Sequence, residues 1–338
     1  MNSTLQALAH VEPLTRAVLA GVNGGRLGGH SHGRRVELVS SLLRAYARLL
    51  EQLSGSDGAV APRELKSLVG SSLTDAGTFN NYQQHDAHEL LRFFLDALSE
   101  ALNEVHEKPP YRELVEDRGA SDADVSRLWW ETAEGICVSP VSRLFRGQQR
   151  SELTCGHCGF VSRSFDVFEE LLLQLSRAQQ VRARIGAGEP MKLEDALAAS
   201  AQPETLEGSE AWTCPSCKTP RRATKHTAVW RVPRVLIIVL KRFYFTSLRR
   251  CKIDTPVAIP RLLDVSLALH ENAPRPAQPV YELIGCINHM GDTFGGHYTC
   301  DAKVGDGPWC NFNDARVSPS NPPKLGAAPY ILLYQAKD

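Results

Sequence analysis

The chain lacks three features that would each assign it to a broad class. Its 38 basic and 38 acidic residues cancel, whereas a domain that binds nucleic acid is normally basic. It has no run of about 18 uncharged apolar residues, the length that a membrane-spanning helix requires. Its first residues have no basic segment followed by an apolar one, as a secretory signal does. We therefore expect neither a nucleic-acid partner nor a membrane span.

The cysteines also lack the even number that a disulfide framework requires. There are nine of them, and four form two CxxC pairs, Cys155 with Cys158 and Cys214 with Cys217. This usage is typical of a reducing compartment and of metal binding. Two CxxC turns can surround one point with four thiolates, the tetrahedral environment that Zn²⁺ prefers, and such a site has no open position for catalysis. We predict a structural zinc ion, with four free thiols as the alternative.

What the sequence does contain is arranged in two blocks. In the first third, apolar residues recur at helical spacing, most clearly over residues 86–105. From about residue 140 onward, β-branched and aromatic residues dominate, and residues 235–240 are apolar on both faces, as in a central strand. A helical block followed by a strand block predicts an α+β protein.

Local patterns predict further elements and one glycine-rich loop. Residues 21–34 contain six glycines and two histidines, which predicts a loop, with metal binding by the histidines as the alternative. Helices are predicted near residues 5–8, 14–19, 38–50, 63–69, 122–134 and 193–198. Strands are predicted at residues 161–173, 223–232, 281–287, 297–303, 308–312 and 330–334.

A histidine beside two glycines stands near the end of the chain. The segment GGHY at 295–298 is followed by WCNFND at 309–314. A cysteine protease needs a base beside its thiol and a third group that fixes the imidazole tautomer. The glycines leave the backbone bare, so that an extended peptide can approach it closely. By itself such a histidine is more often structural, and the interpretation depends on the other motifs.

Taken in order, the motifs resemble the catalytic domain of the ubiquitin-specific proteases, a papain-like family of deubiquitinases. The matching segments are MNSTLQ at 1–6, YQQHDAHEL at 82–90, CGHC at 155–158, CPSC at 214–217, VLIIVLKRF at 235–243, HMGDTFGGHY at 289–298, WCNFND at 309–314 and PYILLY at 329–334. The resemblance implies one domain over 1–338, with a helical thumb (1–135), mainly zinc-ribbon fingers (140–235) and a β-sheet palm (235–338). It also implies hydrolysis of the bond after the terminal glycine of ubiquitin, with ubiquitin and ubiquitinated proteins as partners.

The same resemblance assigns two catalytic residues. His297 is implied as the general base and Asn313 as the residue that orients it. Asp314, the next residue, is the alternative. Because side chains alternate along a strand, we expect Asn313 and Asp314 to point to opposite faces, which favours Asn313.

Five residues are implied to contact the basic, glycine-ended tail of ubiquitin. Asp86 and Glu89 are spaced to share one face of the long helix, with Gln84 beside them. Gly295 and Gly296 are expected to line a slot that a Gly-Gly tail can pass. Capping of the helix N-terminus by Asp86 is a second reading, compatible with the first.

The family's nucleophilic cysteine is absent from this sequence. In the family it precedes by two residues the segment that matches Met1. Cys300 follows His297 by three residues and is expected on the opposite face of a strand, so it is no substitute. We therefore expect the chain as given to be inactive. We also expect it to be monomeric, and the protein to be intracellular, in the cytoplasm, the nucleus or both. A ubiquitin-binding pseudoenzyme or scaffold is the alternative.

Overall fold

The computed structural model describes residues 1–24, 34–55, 58–72, 79, 84–110, 114, 119–175, 190–245, 250–276, 279–292, 295–326 and 328–337. These ranges contain eight α-helices: α1 Asn2–Ala9, α2 Glu12–Asn23, α3 Arg34–Gly55, α4 Arg63–Ser72, α5 Ala87–Ala101, α6 Asp122–Ile136, α7 Pro140–Phe145 and α8 Leu193–Ser200. Two short 3₁₀ helices, Gly208–Glu210 and Val265–Ala268, complete the helical part.

The strands follow the first seven helices in the chain. They are β1 Gly147–Cys155, β2 Val161–Phe168, β3 Glu170–Leu173, β4 Met191–Lys192, β5 Glu204–Leu206, β6 Trp212–Thr213, β7 Pro220–Arg221, β8 Ala223–Arg231, β9 Val235–Leu240, β10 Phe243–Phe245, β11 Arg250–Lys252, β12 Val257–Ala258, β13 Leu262–Asp264, β14 Val280–Gly291, β15 Gly296–Lys303, β16 Trp309–Asn313, β17 Arg316–Ser320, β18 Leu325–Gly326 and β19 Pro329–Ala336. The predicted α+β class is confirmed.

The largest sheet separates two hydrophobic cores. Its strand order is β17-β16-β15-β14-β19-β9-β3, with β13 paired to β14. All six residues of β9 are buried, as predicted for a strand covered on both faces. Its odd-numbered residues pack into a core shared with helices α1 to α5 and α7, and its even-numbered residues into a core shared with α8. Side-chain alternation along one strand therefore joins the two halves of the molecule.

The two cysteine pairs lie at one end of a second sheet. It has the order β2-β1-β8-β5, and β1 ends at Cys155. The short hairpin of β6 and β7 brings the second pair alongside, because Cys214 follows Thr213 directly. The two CxxC segments, far apart in sequence, therefore meet at one end of this sheet.

Two of the expected elements differ in the structure. The helix expected over 86–105 ends at Ala101, because the side-chain oxygen of Asn103 accepts the backbone N–H groups of Val105 and Val138 and redirects the chain. The strand expected over 161–173 is two strands, β2 and β3, which belong to different sheets.

Helix α7 was not expected, and the loop expected at 21–34 is only partly described. Helix α7 begins at Pro140, after a reciprocal cap between Ser139 and Ser142. Because the helix has only six residues, its sequence is too short to show helical periodicity. Helix α2 extends to Asn23 and α3 begins at Arg34, so both ends of the expected loop are helical. The two histidines lie outside the described residues.

Arg242 is the largest fully buried side chain among the described residues. Its Nε donates a hydrogen bond to the carbonyl of Pro329 at 2.7 Å, and its Nη1 donates to the carbonyls of Ile253 at 2.8 Å and Thr255 at 3.0 Å. Burial lowers the pKa of Arg242 to about 10. The guanidinium thus joins the end of β9 to the segments before β12 and at the start of β19.

We expect Arg242→Lys to lower the free energy of unfolding by about 2–4 kcal/mol, because an ammonium cannot reproduce the fork of donors and leaves buried carbonyls unpaired. Urea denaturation measures the change. Lys241→Arg, at the exposed neighbouring position, is the matched control and should leave the midpoint unchanged. Equal midpoints for both variants would contradict the role given to Arg242.

Candidate functional site

His297 and Asn313 come together at the end of the β15–β16 pair. The two strands pair from Cys300 opposite Phe312 to Lys303 opposite Trp309, and both side chains lie just beyond this ladder. The Nε2 atom of His297 is 2.7 Å from the Oδ1 atom of Asn313. The imidazole side chain is 45% exposed, so the opposite ring nitrogen remains within reach of a reacting group.

Asp314 lies closer to the histidine than strand alternation predicts. Strand β16 ends at Asn313, and Asp314 takes a left-handed conformation with φ of 52°. The turn brings its carboxylate to 3.9 Å from His297 Nε2. The same carboxylate accepts a hydrogen bond of 2.8 Å from the side chain of Asn2 on α1. Asn313 therefore makes the direct hydrogen bond, and Asp314 ties this turn to the first helix.

The geometry predicts the ring tautomer of His297. An amide oxygen only accepts hydrogen bonds, so Nε2 must carry the proton in the neutral ring. We expect Asn313→Ala to lower the ratio of the Nε2–H to the Nδ1–H tautomer about fivefold, the equivalent of one ordinary hydrogen bond. Nitrogen-15 chemical shifts at alkaline pH measure this ratio. Asp314→Asn is the control, and a larger effect from that variant would reverse the assignment.

Gln84 holds the backbone beside the histidine. Its Nε2 donates to the carbonyl of Gly296 at 2.8 Å, and its Oε1 accepts from the N–H of Gly296 at 2.8 Å. One side-chain amide therefore satisfies both backbone groups of a glycine 212 residues away in sequence. Sequence reasoning placed Gln84 near the tail of ubiquitin but did not predict this contact.

The ring of His289 fills the space behind Gly296. A Cβ atom at Gly296 would overlap this ring and lie 2.7 Å from the carbonyl oxygen of Met290. For a Cβ atom at Gly295, the nearest atom among the described residues would be Gln84 Oε1, at 4.0 Å. His289 is 4% exposed, and burial lowers its pKa. Packing therefore requires glycine at position 296 but not at position 295.

Asp86 has structural partners, whereas Glu89 is exposed. Asp86 is the N-cap of α5, accepting the backbone N–H of His88 at 2.7 Å. The hydroxyl of Tyr330 donates to both of its carboxylate oxygens, at 3.0 and 2.9 Å. Burial and the adjacent Asp86 carboxylate raise the pKa of Tyr330. The capping reading is confirmed, and Glu89 presents its carboxylate to solvent on the first turn of the helix.

A cavity of about 500 Å³ is lined by residues described above, among them Gln84, Asp86, Gly296, His297 and Asp314. Its walls are the first residues of the chain, the beginning of α4, the beginning of α5, and residues 296–298 of β15, with Asp314 at one side. Residues 1–3, His297 and Gly296 thus line one space.

Cys300 is excluded as a nucleophile for this cavity. It has no exposed surface and packs into the core shared with the helices. Burial raises the pKa of its thiol far above the ordinary value, and the thiolate is the nucleophilic form. The expectation that it lies away from His297 is confirmed.

The four paired cysteines form one cluster. Their sulfur atoms all lie within 4.8 Å of one another, with Cys155 to Cys217 at 4.0 Å and Cys158 to Cys214 at 3.7 Å. A hydrogen bond from the backbone N–H of Phe160 is the main reason that the pKa of the Cys158 thiol falls to about 6.

The two CxxC turns have the same construction. In each, the residue four positions after the first cysteine donates its backbone N–H to the carbonyl of that cysteine, Gly159 at 3.0 Å and Lys218 at 2.8 Å. Both of these residues have positive φ, 70° and 59°. Two like turns with four thiol donors fit a tetrahedral metal such as Zn²⁺.

Three residues of the site were not predicted from the sequence. Asn2 reaches Asp314 across 312 positions, and no local pattern predicts such a pair. Tyr330 and His289 lay in segments that carried the resemblance, but nothing in their spacing gave their partners. No helix in the described ranges has the length and hydropathy to cross a membrane.

Comparisons with known proteins agree with the geometry. The family described as ubiquitin carboxyl-terminal hydrolase matches residues 1–334. Ubiquitin carboxyl-terminal hydrolase 2 of Gallus gallus is 35% identical over 302 residues, covering 88% of this chain and 80% of that protein. The protein of the same name from Rattus norvegicus is 32% identical, covering 99% of this chain and 52% of that protein. Ubiquitin carboxyl-terminal hydrolase Usp2 of Drosophila melanogaster is 34% identical, covering 99% of this chain and 33% of that protein.

The chain spans about half the length of the rat, bovine and human relatives. The match nevertheless extends over nearly all of the present sequence. The chain belongs to the ubiquitin carboxyl-terminal hydrolase family.

Proposed function

We propose that this fold binds ubiquitin and serves a thiol-dependent hydrolysis of the bond after its terminal glycine. The observation that carries the proposal is the 2.7 Å contact between His297 and Asn313 at a cavity whose wall includes the bare backbone of Gly296. His297 is the general base and Asn313 orients its ring. In the family the nucleophile precedes by two residues the position matching Met1, where the N-terminus of α1 and the imidazole favour its thiolate.

In this mechanism His297 removes the thiol proton and returns it to the departing amine, while the thiolate attacks the carbonyl of the terminal glycine. Water then enters with the help of the same histidine and releases the ubiquitin carboxylate. The proposed contacts to the basic tail are Gln84, Asp86, Glu89, Gly295 and Gly296. Since Asp86 already holds Tyr330, Glu89 supplies the exposed charge of this set.

The proposed zinc ion has a structural role. Cys155, Cys158, Cys214 and Cys217 hold it, and all four thiols are used, which leaves no position for a substrate. Helices α1 to α6 correspond to the thumb, the second sheet with the cysteine cluster to the fingers, and the large sheet to the palm. All nine cysteines are free thiols. Free thiols are typical of a reducing compartment, which supports the proposed location in the cytoplasm or nucleus.

We expect the chain as given to bind ubiquitin without cleaving it, because none of its described cysteines lines the cavity beside His297. The test is fluorescence from a ubiquitin–fluorophore conjugate incubated with the purified chain, beside calorimetric titration with ubiquitin. The variant His297→Ala is the matched control and should be equally silent. Release of fluorophore that disappears in that variant would contradict the expected inactivity, and absence of ubiquitin binding would contradict the proposed function.

The natural N-terminus of the protein distinguishes hydrolysis from the pseudoenzyme alternative. Mass spectrometry of the protein purified from its source identifies the first peptide. A peptide that extends beyond Met1 and contains a cysteine two residues before it supports hydrolysis. A peptide that begins at Met1 leaves His297 without a thiol and supports function by binding alone.

A further inference from the structure

The four-cysteine cluster needs hydrogen-bond donors as well as a metal ion. Four thiolates around one Zn²⁺ leave a net charge of about −2. Hydrogen bonds from the protein to metal-bound groups offset such charge and fix the ligands, and their loss commonly lowers metal affinity. The donors around the four sulfur atoms therefore decide how well this cluster can hold a metal.

Three of the four sulfur atoms are served by the backbone of the turns themselves. Backbone N–H groups donate as follows: Phe160 to the sulfur of Cys158, His157 and Cys158 to that of Cys155, and Cys217 to that of Cys214 at 3.5 Å. Every residue except proline has such a group. These donors therefore depend on the conformation of the two turns and not on any particular side chain.

The sulfur atom of Cys217 has a side-chain partner instead. The Nδ1 atom of His157, a residue of the other CxxC turn, lies 3.6 Å from it. Within the described residues, the other partners of this sulfur are thiols of the cluster, with Cys155 at 4.0 Å. A thiolate only accepts hydrogen bonds, so in a metal-loaded cluster the Nδ1 atom must carry a proton and donate it.

We propose that His157 is an outer hydrogen-bond donor of the metal site, which completes the set of donors to the four thiolates and raises the affinity of the cluster for zinc. This inference rests on the proposed zinc ion. His157 acts through Cys217 and is not itself a ligand, because the four sulfur atoms already supply the tetrahedral set. The histidine is exposed, so replacing it removes the donor without opening a cavity in a core.

The first test measures the zinc affinity of the purified chain by competition with a chromophoric chelator. We expect His157→Ala to raise the dissociation constant for zinc about five- to tenfold, because one hydrogen bond to a charged group is lost. His157→Asn places an amide N–H near the position of Nδ1 and should restore the affinity to within about twofold. His106→Ala changes another exposed histidine, outside the cysteine segments, and should leave the affinity unchanged.

Cobalt distinguishes an outer donor from a ligand. The visible absorption bands of bound Co²⁺ depend on the atoms that ligate it, so the unsubstituted chain and His157→Ala should give the same bands, typical of four thiolates. A change in these bands would make His157 a ligand and overturn the assignment. Equal zinc affinities in the two chains, or a loss of affinity that His157→Asn does not restore, would also overturn it, while the structural zinc ion stands. Failure of the unsubstituted chain to bind zinc overturns both.

Discussion

Replacing Cys214 with serine is expected to prevent the four-cysteine cluster from binding the proposed zinc ion, and to lower the stability more than Arg242→Lys or Gly296→Ala. Cys214 has no exposed surface, its sulfur lies 3.7 Å from that of Cys158, and it accepts the backbone N–H of Cys217 at 3.5 Å. Apparent binding free energies for structural zinc reach about 10–16 kcal/mol, and this energy is folding energy because the unfolded chain has no formed site. A hydroxyl is a poor ligand for zinc and cannot replace the thiolate.

The measurement combines metal content with thermal unfolding. The unsubstituted chain should contain one zinc ion per molecule by elemental analysis, and the Cys214→Ser variant less than about one tenth of that. We expect the unfolding midpoint to fall by about 10 °C or more, on the scale of 1 kcal/mol for every 2–4 °C in a chain of this size.

A matched variant separates the loss of metal from the loss of a thiol. Cys251→Ser changes a half-buried cysteine of β11 outside the cluster, and it should keep both the metal and the midpoint. Chelation of the unsubstituted chain should reproduce the Cys214→Ser result. A cluster that contains no metal when isolated, or a midpoint that is unaffected by its removal, would contradict the structural role proposed for zinc.

The parts of the fold that could be predicted are those with a clear local pattern in the sequence. Strand β9 was predicted because all six of its residues are apolar, and it is buried on both faces. The cysteine cluster was predicted because the CxxC spacing constrains each pair independently of the rest of the chain. Helix α5 was predicted as an element, but its end was not, because Asn103 terminates it through hydrogen bonds with Val105 and Val138. Local periodicity contains no information about such a partner.

The site itself depends on contacts that no local pattern encodes. The pair of Gln84 with Gly296 joins positions 212 apart, and the pair of Asn2 with Asp314 joins positions 312 apart. The resemblance supplied the residues but could not supply these contacts. Alternation misplaced Asp314 for a physical reason, since its positive φ ends the strand at Asn313 and turns the carboxylate back towards His297.

Gly296→Ala is expected to lower both the stability of the chain and its affinity for ubiquitin. The added methyl group would overlap the ring of His289 and lie 2.7 Å from the carbonyl oxygen of Met290. His289 is buried, with its ring 5.1 Å from that of Phe243 and 4.8 Å from that of Tyr298, so it has little room to move. Overpacking of this kind costs about 1–3 kcal/mol, and relief by backbone movement would break the two hydrogen bonds to Gln84.

Gly295→Ala distinguishes packing from contact with substrate. Among the described residues, the nearest neighbour of its methyl group would be Gln84 Oε1, at 4.0 Å, so the unfolding free energy should change by less than about 0.5 kcal/mol. If Gly295 lines the slot for a Gly-Gly tail, the affinity for ubiquitin should still fall about tenfold or more, because the slot then narrows by one methyl group.

Gly55→Ala completes the series, because a methyl group at that position meets no atom of the described residues within 4 Å and lies on α3, outside the lining of the cavity. It should alter neither unfolding in urea nor titration with ubiquitin. The informative comparison is therefore between Gly295 and Gly296. Loss of affinity in both variants, with loss of stability only at Gly296, assigns the two glycines to the slot and explains why the second also requires a bare backbone. Retention of full affinity by Gly295→Ala would remove that residue from the slot.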